Sequence, residues 1–194
     1  MMRIITGTAK GRRLETLEGD ATRPTSERIK GAIFSSIQFE CEGRVVLDLF
    51  AGSGQMGLEA ISRGAAHAVL CDRAREAVDV IRKNAEKTRL LPSCEILCMD
   101  YEVALRSFRR KRRFDLVFLD PPYALGVMPA VLSALTEEDL LTPNAIVVCE
   151  TAGEDDVFGG NEKLRARFDL VRGVRYGAAY VTVLRLCKSE EAEI

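Results

Sequence analysis

From about residue 45 onward, short apolar, β-branched runs alternate with segments of helical period, and few folds accept that rhythm other than a parallel sheet covered by helices. Strands are expected over 45–48, 68–72, 94–99, 114–120 and 145–150. Between them Ala77, Ile81, Ala85 and Thr88 recur at helical spacing, as do Val131, Leu132 and Leu135 with Leu140 a turn later. Right-handed crossovers place the helices on both faces and the strand C-termini along one edge, where an open α/β sheet binds its ligand. The fold class is therefore α/β, a doubly wound, mostly parallel sheet.

The ends break the rhythm. Residues 2–16 read as two short strands around Lys10-Gly11, a small hairpin, and Pro24-Thr25-Ser26 opens a helix whose apolar face is Ile29, Ile33 and Ile37. Residues 170–176 and 180–186, joined by Gly177-Ala178-Ala179, read as a C-terminal antiparallel hairpin that closes the sheet. The expected organisation is a hairpin and helix extension over 1–40, one domain over 41–188 and an acidic tail over 189–194. With 194 residues, such a chain buries about 70% of its unfolded surface and needs neither disulfide nor metal for a core.

Composition narrows the setting. Apolar runs such as Leu116-Val117-Phe118-Leu119 are far short of a membrane span, and Met1-Met2-Arg3-Ile4 turns basic too early for a signal peptide. Six cysteines are scattered through apolar runs, with only Cys94 and Cys98 close together, so reduced thiols, no metal and a cytoplasmic location are expected. The single histidine, His67, is placed in a loop before a strand, which leaves no histidine base or histidine-ligated metal. Net charge is −1, yet residues 1–30 carry seven basic side chains against four acidic ones, while 189–194 hold three acids and no base. The chain is polarised, and its basic end suits nucleic acid.

The first chemical motif is Asp48-Leu49-Phe50-Ala51-Gly52-Ser53-Gly54-Gln55-Met56-Gly57, a strand end, a glycine turn and a helix start. Gly52-x-Gly54-x-x-Gly57 with Asp72 twenty residues past Gly52 also meets the dinucleotide fingerprint. Asp48 speaks against that reading, because an acid at the mouth of the loop repels a pyrophosphate and suits an ammonium. Asp72, Asp100 and Asp120 end three further candidate strands. Any one of them fits a helix N-cap. Four strand-end acids in series instead call for a cationic, hydrogen-bonding ligand. S-adenosylmethionine, with an ammonium, ribose hydroxyls, an adenine amine and a sulfonium, suits such an edge.

Asp120-Pro121-Pro122-Tyr123, directly after an apolar strand, is the most specific motif. Pro122 holds Pro121 extended, and neither proline donates an N–H, so the Asp120 carboxylate stands beside carbonyls that lack local partners. Two fixed acceptors grip an –NH2 group, favour its tetrahedral form and stabilise the charge that develops as nitrogen takes a methyl. Tyr123 offers a ring for a base to stack on.

With these residues in view the chain resembles a known family. Asp48-Leu49-Phe50-Ala51-Gly52-Ser53-Gly54 with Asp120-Pro121-Pro122-Tyr123 is similar to S-adenosylmethionine-dependent amino-methyltransferases that act on nucleobases. The opening Met2-Arg3-Ile4-Ile5-Thr6-Gly7 with Lys10-Gly11-Arg12, the segment Arg23-Pro24-Thr25-Ser26-Glu27-Arg28, Gly57-Leu58-Glu59-Ala60-Ile61-Ser62-Arg63-Gly64-Ala65 and Arg175-Tyr176-Gly177 narrow this to the RsmD family. The sequence departs from the family pattern at Asp72, where glutamate is commoner, and around Asp100-Tyr101.

The resemblance implies a Rossmann-like methyltransferase that methylates guanine N2 in bacterial 16S ribosomal RNA, on a 30S subunit or an assembly intermediate. It implies that Asp48, Phe50, Ala51, Gly52 and Gly54 line the methionine end of the cofactor, Asp72 the ribose, and Asp100 with Tyr101 the adenine. Asp120, Pro121, Pro122 and Tyr123 would hold a flipped-out guanine. Lys10, Arg12, Arg13, Arg23, Thr25, Ser26 and Arg28, on the hairpin and the helix entry that runs to Lys30, would face RNA. Arg109-Arg110-Lys111-Arg112-Arg113 precedes the fourth strand at the opposite edge and is expected to be a solvated loop, with a remote ribosomal contact as the other option. The small size favours a monomer. A DNA adenine-N6 or cytosine-N4 methyltransferase shares the clamp but needs a target-recognition region for which little chain is left. A non-catalytic RNA-binding assembly factor and a nicotinamide-dependent oxidoreductase are the readings from other classes.

Overall fold

The structure is a computed structural model that describes residues 2–17 and 27–187. The elements run α1 (Glu27–Ser36), β1 (Val45–Asp48), α2 (Gln55–Ser62), β2 (His67–Asp72), α3 (Arg75–Thr88), β3 (Cys94–Cys98) and α4 (Tyr101–Phe108). They continue with β4 (Phe114–Leu119), α5 (Met128–Glu137), β5 (Leu141–Thr151), α6 (Glu162–Arg165), β6 (Phe168–Tyr176) and β7 (Ala179–Leu186). The seven strands form one sheet in the order β3-β2-β1-β4-β5-β7-β6. β1 to β5 are parallel, and the β6–β7 hairpin joins antiparallel through β7. The strand order reverses between β1 and β4, which opens a crevice at their C-terminal ends.

Strand alternation divides the core in two. Val46, Ala68, Leu70, Leu116, Phe118, Ile146 and Val148 pack against α1, α2 and α3. Their neighbours Leu47, Val69, Cys71, Val117, Leu119, Val147 and Cys149 pack against α4, α5 and α6. Both faces are covered, so these strands read as continuous apolar runs. Among the described residues no helix is long and apolar enough to cross a membrane.

The N-terminal segment differs from the expected hairpin. Only Arg3 and Arg13 form an antiparallel bridge, flanked by Ile4 N–H to Arg12 O at 2.9 Å and Leu14 N–H to Met2 O at 2.9 Å. The chain between them turns its backbone donors to α2 instead. Ile5 and Thr6 N–H reach the Glu59 carboxylate at 2.7 and 3.0 Å, and Thr8 N–H reaches Ser62 O at 2.8 Å. Gly7, at φ +89°, lies so close that an added Cβ would sit 1.6 Å from Ser62 O, so only glycine fits. Met2, Ile4, Ala9 and Leu14 complete the apolar layer over α2, which explains why every residue of that helix is buried.

Lys30, the last residue of the helix entry expected to grip RNA, is the one described basic residue of that entry turned away from solvent. It is fully buried, with Nζ 2.6 Å from Arg3 O and 3.3 Å from Glu59 Oε2. Burial pulls its ammonium below the ordinary lysine range, while Glu59 works the other way. Glu59 also accepts from Arg63 Nε at 2.8 Å. This buried cluster fastens the N-terminal segment, α1 and α2 together.

Smaller differences have local causes. His67 is the first residue of β2 rather than a loop residue. β5 begins at Leu141, opposite Phe114, and its register shifts before Ile146 pairs with Leu116. Pro143 and Asn144, at φ +62°, bulge between the two pairings. The basic run 109–113 lies where expected, before β4. Arg109 pairs with Glu138 at 3.2 Å, Arg112 with Glu95 at 2.6 Å, and Arg113 with Asp139, so much of its charge is answered within the protein. Arg23, Thr25, Ser26 and the acidic tail lie outside the described residues.

Candidate active site

The site grows from the C-terminal edge of the sheet. β1 ends in Asp48, whose side chain turns under the glycine loop and accepts Gly57 N–H at 2.9 Å. β2 ends in Asp72, which accepts Gly52 N–H and Ala74 N–H, both at 2.9 Å. The loop is held by Ala51 N–H to Cys71 O at 2.9 Å and by Gly54, at φ +76°, which donates to Ala51 O at 2.6 Å and precedes α2. The N–H groups of the three fingerprint glycines are thus committed to two carboxylates and a carbonyl. That arrangement argues against the dinucleotide reading on physical grounds.

Burial governs Asp48. It is nearly closed off from solvent, and desolvation, joined by the nearby Asp72 charge, pushes its carboxyl from the ordinary 3.8 to about 7 against the pull of the Gly57 N–H. A cation placed beside it would return it to the ionised form. Asp100 is an N-cap, accepting Glu102 N–H at 2.9 Å at the start of α4. The cap leaves further lone pairs on its carboxylate. Phe50 and Tyr101 set their rings 5.5 Å apart and tilted by 42°, an aromatic pair that joins the β1 loop to α4. At Gly52 nothing lies within 4 Å of where a side chain would begin. Three carboxylates, a ring pair and a bare glycine fit an ammonium-bearing nucleoside and suit a polyanion poorly.

Asp120 follows β4 at the next strand over, exposed, with Pro121 buried behind it. Pro122, at φ −53° and ψ 124°, leads into a short 3₁₀ turn from Tyr123 to Leu125, closed by Leu125 N–H to Pro122 O at 3.0 Å. Tyr123 is 42% exposed. Its hydroxyl donates to Glu150 Oε1 at 3.1 Å. Glu150, near the end of β5 and largely buried, was absent from the expected site. The available signal was simple: it ends the fifth strand candidate in an acid, as Asp48, Asp72 and Asp120 end theirs.

The expected RNA-facing residues fall on the neighbouring rim. Lys10, Arg12, Arg13 and Arg28 are exposed, and Arg12 is tied by Nη1 to Lys87 O at 2.9 Å. A hollow of about 370 Å³ lined by Phe158, Glu162, Arg165 and Leu184 opens at the other end of the sheet, away from the strand-end acids.

The chain is similar to known proteins along most of its length. The family described as "Conserved hypothetical protein 95" matches residues 2–185. A Bacillus subtilis protein named "Putative rRNA methyltransferase YlbH" is 37% identical over 150 residues, covering 77% of this chain and 82% of the relative. "Ribosomal RNA small subunit methyltransferase D" of Haemophilus influenzae is 32% identical over 151 residues, with 77% and 78% covered. Among solved structures, "Putative methyltransferase yhhF from Escherichia coli" superposes with a TM-score of 0.83 at 25% identity, covering 96% of this chain and 98% of that one.

Proposed function

Because the chain belongs to the family described as Conserved hypothetical protein 95, we propose that it transfers a methyl group from S-adenosylmethionine to the N2 amine of a guanine in 16S ribosomal RNA. The observation that carries this reading is Asp120-Pro121-Pro122-Tyr123, set at the end of β4 beside the acid-lined glycine loop of β1. The names of the relatives support the reaction class and the ribosomal substrate.

Bound S-adenosylmethionine supplies an electrophilic methyl on a sulfonium sulfur. Asp48 faces its ammonium, Gly52 and Gly54 admit the methionine end beside Phe50 and Ala51, Asp72 takes the ribose hydroxyls, and Asp100 takes the adenine amine beside Tyr101. The Asp120 carboxylate and the Pro121 carbonyl accept the two N–H bonds of the target amine, which draws its lone pair out of conjugation with the ring. Tyr123 stacks on the extruded base, a contact of about 1–3 kcal/mol. After transfer, the acidic methylated amine gives its proton to Asp120 or to water, so no histidine is required. Residues 1–40 bear on the RNA through Lys10, Arg12, Arg13 and Arg28, while 41–188 carry out the transfer. The particle is a 30S subunit or an assembly intermediate in the cytoplasm. The dispersal of the exposed large apolar side chains, Phe39, Val103, Tyr123 with Leu125, and Leu170 with Val171, supports action as a monomer.

Asp48 makes a pH prediction. Its carboxyl titrates near 7 in the folded protein, so below pH 7 it is protonated and cannot answer an ammonium. Affinity for S-adenosylmethionine, measured by calorimetry, is expected to fall by up to about tenfold per pH unit below 7 and to level off above it. The stability effect runs the other way. The raised carboxyl costs nothing below its ordinary 3.8 and costs increasingly up to pH 7, so Asp48→Asn should melt higher than the parent at pH 8 while binding the cofactor more weakly. Unchanged affinity between pH 5.5 and 8 would remove Asp48 from the cofactor site.

The function is tested with radiolabelled S-adenosylmethionine offered alongside 30S subunits, naked 16S RNA, duplex DNA or no nucleic acid. Label recovered as N2-methylguanine in ribosomal RNA is expected. Label in DNA, or in no nucleic acid at all, overturns the reading.

A further inference from the structure

The transfer as derived above leaves one acid of this edge without a role. Glu150 is 9% exposed and accepts the Tyr123 hydroxyl at 3.1 Å. Leu119 pairs with Cys149 at the end of the parallel β4–β5 ladder, so Asp120, which follows β4, and Glu150, the next residue of β5, both continue from that pair, where neighbouring strands are spaced about 4.8 Å apart. Phe118 and Val148 face the same core, and two residues further on the alternation carries Asp120 and Glu150 toward that same face. A carboxylate has two oxygens with about four lone-pair sites, so holding Tyr123 does not exhaust Glu150.

Two adjacent carboxylates match a base edge with two adjacent N–H donors. Guanine has that edge in N1–H and the N2 amine, whereas adenine and cytosine set a bare ring nitrogen beside their amine. A lone pair against a largely buried carboxylate leaves both acceptors unpaired and is strongly disfavoured. We propose, resting on the methyltransferase reading, that Glu150 is a specificity-determining residue. It fixes the Tyr123 ring and accepts guanine N1–H while Asp120 accepts from the N2 amine, so the site takes guanine and rejects adenine and cytosine.

The test uses 16S RNA ligated to carry either guanine or 2-aminopurine at the nucleotide that the wild-type protein labels, assembled into 30S subunits. 2-Aminopurine keeps the 2-amine but has a bare N1. The wild type should methylate guanine far faster. Glu150→Gln can turn its amide N–H toward that bare N1 and its carbonyl toward Tyr123, so the guanine to 2-aminopurine ratio of kcat/KM should fall by about tenfold or more. Tyr123→Phe, which removes only the hydroxyl, should slow both substrates by a similar factor. A folded Glu150→Gln that slows both substrates equally, or slows neither, overturns the proposal and leaves the transfer reading intact. A wild type that labels no guanine sinks that reading instead.

Discussion

Asp120→Ala is expected to lower kcat for RNA methylation by about a hundredfold to a thousandfold, the range for deleting one preorganised partner of the reacting group, with the affinity for S-adenosylmethionine nearly unchanged. The separation follows from placement. Asp120 lies beyond β4, whereas the acids assigned to the cofactor end β1 and β2 or cap α4. Asp120→Asn should recover part of the rate, because the amide oxygen still accepts one N–H but bears no charge toward the nitrogen that becomes positive. Single-turnover rates on 30S subunits, set beside calorimetric cofactor binding, check this. Undiminished turnover of the alanine variant would remove the clamp from the mechanism, and equal losses in rate and in cofactor affinity would move Asp120 into the cofactor site.

Glu59→Ala should cost the largest stability of any substitution considered, about 3–5 kcal/mol, because it strands a buried cation. Glu59 lies at zero exposure and satisfies Lys30, Arg63 and the N–H groups of Ile5 and Thr6 at once. Deleting it leaves the Lys30 ammonium buried against the Arg3 carbonyl without its ion-pair partner. Lys30→Met combined with Glu59→Gln should recover much of the loss, since the glutamine oxygen can still accept a donor and no ammonium is left buried beside it, with Arg63 keeping its contact with the Phe34 ring. Urea denaturation of the two single variants and the double variant measures the coupling. Strict additivity would show that the pair does not act as a unit.

This cluster also marks the boundary of what a linear reading reaches. In a linear reading Lys30 closes the basic helix entry expected to grip RNA, and nothing in the adjacent residues sets it apart from the exposed Arg28. Its burial depends on Glu59, 29 positions away, and on a backbone carbonyl, and neither partner leaves a periodic trace. Glu59 itself sits in an apolar helix start where an acid looks like a solvated face. The N-terminal hairpin shrank to one bridge for the same reason, since α2 competes for its donors.

The sheet was legible because parallel strands covered on both faces must be apolar throughout, and each ends in a turn with its own chemistry. Asp48, Asp72, Asp100 and Asp120 could be placed on one edge by topology alone, since right-handed crossovers send every strand C-terminus the same way. The turn that carries Asp120 and Tyr123 was legible from the motif, because two prolines after a strand-end acid constrain the backbone wherever they occur.

The sequence by itself thus determined the doubly wound sheet, the acid-lined edge and the proline-fixed turn after β4, all consequences of local pattern and chain handedness. Only the tertiary structure decided that the Gly52 and Gly57 amides are spent on Asp72 and Asp48, that Asp48 is buried enough to titrate near 7, and that Glu150 accepts the Tyr123 hydroxyl. Those facts depend on register between strands distant in sequence and on which groups exclude water from which, and neither quantity is local.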